Sequence, residues 1–213
     1  MTECDSIERS VSGTMKSTAV RIKRLIFPMI LLAGTAISAA GQNKSIVILA
    51  PHPDDEALCC SGVIYNALQQ GNRVNIVVVT NGDSGGTSVG FQRERETMTG
   101  MGLLGLTQQN VIFMGYGDQA LQGLYQSTSP TTVIASPAGQ TQTYANQGLG
   151  SMSYHQYLYG VPGAYNRQTI LGDIEAMLQN LRPDEIYTTG LWDEHPDHSN
   201  TFTFLMEAIL DLR

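Results

Sequence analysis

The sequence predicts an α/β domain built on a mainly parallel sheet with helices on both faces. Three observations lead there. Short, continuous β-branched runs alternate with segments of helical apolar periodicity. The runs lack the polar alternation of a half-exposed strand, so both of their faces are buried. Gly, Pro and Asn-Gly punctuate the changes between them. Ser45–Ala50 (SIVILA) reads as a first buried strand, and Glu56 to about Gln70 as a helix stopped by Gly71. Arg73–Thr80 (RVNIVVVT) is a second strand, followed by Asn81-Gly82-Asp83 and a Gly/Ser loop to Gly90. A helix is expected over Phe91–Leu104, a short strand over Val111–Met114, and a helix over Thr169–Leu181 that Pro183 stops. Glu185–Thr189 is a fourth strand, and Asn200–Leu210 a last helix.

Residues 119–166 interrupt this alternation. They contain no Asp, Glu, Lys or Arg, yet hold six of the nine tyrosines. Neutral polar groups mixed with aromatic rings suit contact with sugars, whose hydroxyls need hydrogen bonds and whose C–H faces need rings. A structured surface insertion without a ligand fits the same composition.

The chain has 213 residues, 42% of them apolar and 15% charged, which suits one folded domain with a sizeable core. Its formal charge is −7; residues 1–40 hold five Lys/Arg and three Asp/Glu, so the remainder carries seven basic and sixteen acidic groups, or −9. So acidic a body argues against nucleic acid as a partner. Arg21, Lys23 and Arg24 precede an apolar stretch from Leu25 to Ile37 and the small residues Ser38-Ala39-Ala40. That order predicts a leader over residues 1–40, read as a cleaved signal peptide and hence an exported protein. The apolar stretch is shorter than a spanning helix, and Pro28 and Gly34 interrupt it. Membrane association is therefore expected only if residues 25–40 are retained as an anchor.

Only four histidines occur, and three of them fall in two similar clusters, Pro51-His52-Pro53-Asp54-Asp55-Glu56 and His195-Pro196-Asp197-His198. Each cluster directly follows a predicted strand, so a parallel sheet brings both to one rim, where such folds bind ligands. Imidazole nitrogen and carboxylate oxygen suit a borderline divalent ion, and three ligands leave a position open for water. His52 and Asp55 are three apart and can reach one ion. Asp54 and Asp55, as neighbours, point differently, so that one can ligate while the other faces substrate. One imidazole of the second cluster can complete the site while the other moves protons or stabilises an oxyanion, held by a carboxylate such as Asp197.

These motifs resemble a known family. Pro-His-Pro-Asp-Asp-Glu after the first strand, Asn-Gly-Asp after the second, Gly115-Tyr116-x-Asp118 after the third and the later His-Pro-Asp-His are similar to those of the PIG-L/LmbE-like zinc-dependent N-deacetylases. So is Arg93-x-x-Glu96 opening a helix that closes in Leu104-Gly105. The resemblance spans most of residues 45–210. It implies a Rossmann-like single domain over 41–213 and removal of an N-acetyl group from an amino-sugar or glycoconjugate substrate by zinc-activated water. It implies His52, Asp55 and His198 as ligands of Zn²⁺, with Fe²⁺ as the alternative ion. Asp54 would be the general base. His195 would stabilise the oxyanion or protonate the leaving amine, oriented by Asp197, and Arg93 would help hold substrate. The chain stops in the helix after His-Pro-Asp-His, where the family continues through further sheet, so a C-terminally truncated domain is expected. Alternatives are an N-acetylglucosaminyl-phosphatidylinositol-type deacetylase at a membrane and a carbohydrate-binding protein without activity. A zincin peptidase is disfavoured because His-Glu-x-x-His is absent.

Overall fold

A computed structural model describes residues 43–213; the leader expected over residues 1–40 lies outside the described residues. Four strands, β1 (Ser45–Ala50), β2 (Arg73–Thr80), β3 (Val111–Tyr116) and β4 (Glu185–Thr188), form one parallel sheet in the order β3-β2-β1-β4. Six α-helices join them: α1 (Asp55–Gln69), α2 (Thr87–Leu103), α3 (Leu121–Gln126), α4 (Tyr154–Tyr159), α5 (Arg167–Leu181) and α6 (Pro196–Asp211). Alternate strand residues point to opposite faces. Val47, Leu49, Val77, Val79 and Ile112 pack under Ile170 and Ile174 of α5 and Phe204 and Leu205 of α6. Ile46, Ile48, Ile76, Val78 and Phe113 pack under Ile64 of α1 and Met101 of α2. Burial on both faces is why the strands read as continuous apolar runs. Each such Ile, Leu or Phe contributes about 1.5–3 kcal/mol. Among the described residues, no helix is long and apolar enough to cross a membrane.

The strand order creates the site. From β1 the chain moves outward to β2 and β3, then crosses back to place β4 on the other side of β1. The connections after β1 and β4 therefore diverge and leave a crevice at the carboxyl ends of these two neighbours, where open α/β sheets bind ligands. The two His/Asp clusters are those two connections.

Two helices begin earlier than their apolar pattern suggests. α2 starts at Thr87, inside the expected Gly/Ser loop. α6 starts at Pro196, so His-Pro-Asp-His is the first helical turn and not a turn ahead of it. Pro at the first helical position lacks only an N–H that would have no helical partner. His195 caps the end, its side chain accepting the Asp197 N–H.

Residues 119–166 are built into the fold. They carry α3, α4 and an antiparallel bridge between Gln142 and Ala164. Tyr154 and Tyr165 are core residues, and the Tyr165 hydroxyl donates to the Gly115 carbonyl. Tyr125 packs edge-on against Phe204, and the Tyr144 hydroxyl donates to Asp83 Oδ2. Most of the rings thus serve packing, and only Tyr157 and Tyr159 are largely exposed.

Candidate metal centre

His52, Asp55 and His198 meet at the crevice, each about 5–6% exposed. His52 Nδ1 lies 3.1 Å from His198 Nε2 and 3.4 Å from Asp55 Oδ2, and His198 Nε2 lies 3.3 Å from that oxygen. Asp55 Oδ2 also accepts the His52 N–H at 3.0 Å, which fixes the turn. Donors placed about 2.0–2.1 Å from a tetrahedral Zn²⁺ are separated by about 3.3 Å. The three atoms are therefore spaced as three corners of such a site.

The far side of each imidazole explains the orientation. His52 Nε2 faces Asp118 Oδ1 at 3.1 Å and Asp197 Oδ2 at 3.2 Å. His198 Nδ1 faces Asp193 Oδ2 at 2.9 Å. Carboxylates there hold the ring hydrogens on those outer nitrogens. The inner nitrogens and Asp55 Oδ2 then converge with lone pairs and no hydrogen between them. Only a cation relieves that arrangement, either a metal ion or a proton. Burial disfavours a charged His52, but the carboxylates of Asp118, Asp197 and Asp55 outweigh it and raise the ring to about 11. Burial likewise opposes ionisation of Asp55, yet hydrogen bonds from His198 and His52 hold its pKa well below the usual carboxylate range. The pocket is built for positive charge.

Two overlapping groups also bring ligand atoms within 4.8 Å of one another: His52, His195 and His198, and His52, Asp118 and Asp197. Asp197 is fully buried; its Oδ2 accepts both the Gln119 N–H at 2.6 Å and the ring hydrogen of His52 at 3.2 Å, and its Oδ1 accepts the Leu121 N–H at 3.1 Å, so the oxygen facing His52 has no lone pair left. His195 Nδ1 accepts the Asp197 N–H at 3.2 Å, which leaves the ring hydrogen on Nε2 as a donor. Neither group offers three free lone pairs. The set of His52, Asp55 and His198 does.

His195 sits beside the centre, its ring centroid 4.7 Å from that of His52 and 4.9 Å from that of His198. Burial and the neighbouring His52 lower its pKa. One expectation is corrected here. The Asp197 carboxylate bonds to His52, and its contact with His195 is made by the backbone N–H instead. The helical turn of His-Pro-Asp-His is the cause, because it directs the Asp197 side chain inward under His52.

Asp54 leaves the crevice wall with its side chain more than half exposed, at φ 116° and ψ −28°. Burial of its remaining part raises its pKa, against the pull of Arg93. Arg93 is tied to this turn through its guanidinium. It donates to Asp54 Oδ2 at 2.8 Å, to the Pro53 carbonyl at 2.7 Å and to the Gly82 carbonyl at 3.1 Å. Gly82 is required there: φ is +58°, and a Cβ would lie on the guanidinium. Glu56 is a buried strut, accepting the Asp54 N–H at 2.9 Å and the Thr97 hydroxyl at 3.0 Å. The Asn-Gly-Asp turn is structural too. Asp83 accepts the Asp118 N–H at 2.8 Å and so positions the carboxylate that faces His52. Asp118 and Asp193 were not expected as site residues; their signal is that each follows a strand and opens onto the same rim.

A family model described as GlcNAc-PI de-N-acetylase, PIG-L, matches residues 47–209. The uncharacterized deacetylase YaiS of Escherichia coli (strain K12) is 30% identical over 88 residues, 41% of this chain and 46% of that protein. The N,N′-diacetylchitobiose deacetylase of Pyrococcus horikoshii, solved with an inhibitor, shares the fold at TM-score 0.51 and 18% identity, over 82% of this chain and 53% of that one. The chain spans about half the length of these relatives. It belongs to the PIG-L family of deacetylases.

Proposed function

We propose that the protein is a metal-dependent amide hydrolase that removes the N-acetyl group of an amino sugar or glycoconjugate. The observation that carries this reading is the convergence of His52 Nδ1, His198 Nε2 and Asp55 Oδ2 within 3.1–3.4 Å, with the far nitrogen of each imidazole on a carboxylate. In this reading those three residues hold one divalent ion. Two imidazoles and a carboxylate suit Zn²⁺ first and Fe²⁺ second. When bound, the ion supplies Lewis acidity to the amide carbonyl and lowers the pKa of water toward about 7.

The chain's own groups do the remainder. Asp54 takes a proton from the attacking water, and the partial burial that raises its pKa strengthens it as a base. Arg93 and Glu56 hold it in place through its side chain and backbone N–H. His195, with its hydrogen on Nε2, donates to the oxygen that becomes negative as the carbonyl is attacked. That hydrogen-bonding state favours oxyanion stabilisation over protonation of the amine, and Asp54 can return its proton to the departing nitrogen. Asp197 and Asp118 orient His52, and Asp193 orients His198. Acetate and a free amine result.

Export is part of the proposal and rests on the sequence of residues 15–40 alone. The test is acetate release from a panel of N-acetylated sugars, measured with and without chelator. The reading expects release that a chelator abolishes and Zn²⁺ restores. Chelator-resistant release would contradict the metal role.

A further inference from the structure

Tyr144 ties the insertion over 119–166 to the metal centre. Its hydroxyl donates to Asp83 Oδ2 at 2.7 Å, and the other oxygen of that carboxylate, Oδ1, accepts the Asp118 N–H at 2.8 Å. Asp118 Oδ1 in turn faces His52 Nε2 at 3.1 Å, and His52 Nδ1 is one of the three inner donors. Three consecutive hydrogen bonds thus lead from a tyrosine of the insertion to the far nitrogen of a proposed metal ligand. Both groups between them are shielded from water, Asp83 fully and Asp118 nearly so. The hydroxyl is a constant donor, because burial and the adjoining Asp83 carboxylate push its pKa well above the usual phenol range. The surrounding elements deliver it there. Asn81 Nδ2 donates to the Tyr144 carbonyl at 2.8 Å, and the Tyr144 N–H donates to the Gly115 carbonyl at 3.2 Å. The residue is therefore fastened both to the connection after β2 and to β3. Gly90 of α2 leaves the space, since a Cβ there would lie 2.6 Å from the hydroxyl oxygen. A glycine within a helix is unfavourable for the helix itself, and here it makes room for the bond to Asp83.

We infer that Tyr144 is a positioning residue for the metal centre, acting on His52 through Asp83 and Asp118. This rests on the metal-centre reading above and assigns part of the insertion to that centre. Without the hydroxyl, the buried Asp83 carboxylate loses its partner on Oδ2 and turns to find another. The turn releases the Asp118 N–H, and the Asp118 side chain then loses its hold on His52. A carboxylate behind a ligating imidazole fixes the ring and raises its basicity, and losing such a group weakens metal binding about 10- to 100-fold. Tyr144 stands two contacts behind the imidazole, so its effect belongs at the lower end of that range.

The test is the Zn²⁺ affinity of the full chain, stripped of metal and titrated in competition with a chromophoric chelator. Tyr144→Phe keeps the ring against Phe91, whose centroid is 5.2 Å away, and removes only the hydroxyl. It should bind Zn²⁺ about tenfold more weakly than wild type. Asp118→Ala should weaken binding about 10- to 100-fold, and adding Tyr144→Phe to it should bring no further loss, because both act along one path. Tyr154→Phe is the control. Its hydroxyl accepts from Asn180 on α5 at 3.1 Å, away from this path, and the variant should bind Zn²⁺ as wild type does. Equal affinity in Tyr144→Phe and wild type overturns the inference and leaves the metal reading standing. Losses that multiply in the double variant overturn it too, as does an equal loss in Tyr154→Phe, which would mark a general loosening of the insertion. A wild type that binds no Zn²⁺ overturns the metal reading and this inference with it.

Discussion

Asp54 holds φ at 116°, a conformation that costs a non-glycine residue about 1–3 kcal/mol and persists only where its surroundings impose it. Here Glu56 takes its N–H, and Arg93 takes both its carboxylate and the preceding carbonyl. That investment places one carboxylate at the crevice wall while its neighbour Asp55 turns inward. The sequence already separated the two aspartates, because adjacent residues in a turn diverge; it could not say what enforced the divergence. Asp54→Asn keeps the shape and removes the base. Turnover should fall by about 10² to 10⁴ with metal content unchanged, and near-normal turnover would refute the role. Arg93→Ala should lower kcat by about 10- to 100-fold with little change in KM, since it frees Asp54. A raised KM with kcat preserved would instead support the substrate contact that the sequence suggested.

At the scale of elements, the strands were legible because burial on both faces leaves uninterrupted apolar runs. Helix starts were less so. In α6 the apolar pattern begins near Asn200, but a proline and a histidine cap open the helix at Pro196, and this moves Asp197 beneath His52. Residues 119–166 hid their structure because side chains that pack there, such as Tyr154 and Thr143, carry polar atoms satisfied inside. Glu94 joins this insertion to α2. It is fully buried and accepts the Asn146 N–H at 2.8 Å, while Oε1 has no partner among the described residues. Burial raises it to about 7 from 4.5. A carboxyl raised in the folded state lends stability that is complete below about pH 4.5 and lost as pH rises through about 7. Glu94→Gln cannot ionise, so its Tm should gain on wild type by on the order of 5 °C across that interval. A constant difference in thermal melts between pH 4.5 and 7.5 would contradict this.

For the whole molecule, the site follows from strand order. Placing β4 beside β1 sets 51–55 and 193–198 against one another, and no residue in either cluster reveals that alone. The sequence showed both clusters at strand ends and so pointed to a joint site; it left open which imidazole of the second cluster binds, and the family resemblance named His198 beside His52 and Asp55. It did not show that Asp118 and Asp193 close the ring of carboxylates, because their targets depend on how the connections after β3 and β4 fold. Four carboxylates, those of Asp55, Asp118, Asp193 and Asp197, surround the two imidazoles at the centre. Such a surplus of negative charge draws a cation. Elemental analysis of purified protein tests this most directly. Wild type should carry about one divalent ion per chain, and His198→Ala and Asp55→Ala should each lose it at least 10-fold in affinity. Full metal content in both variants would contradict the assignment.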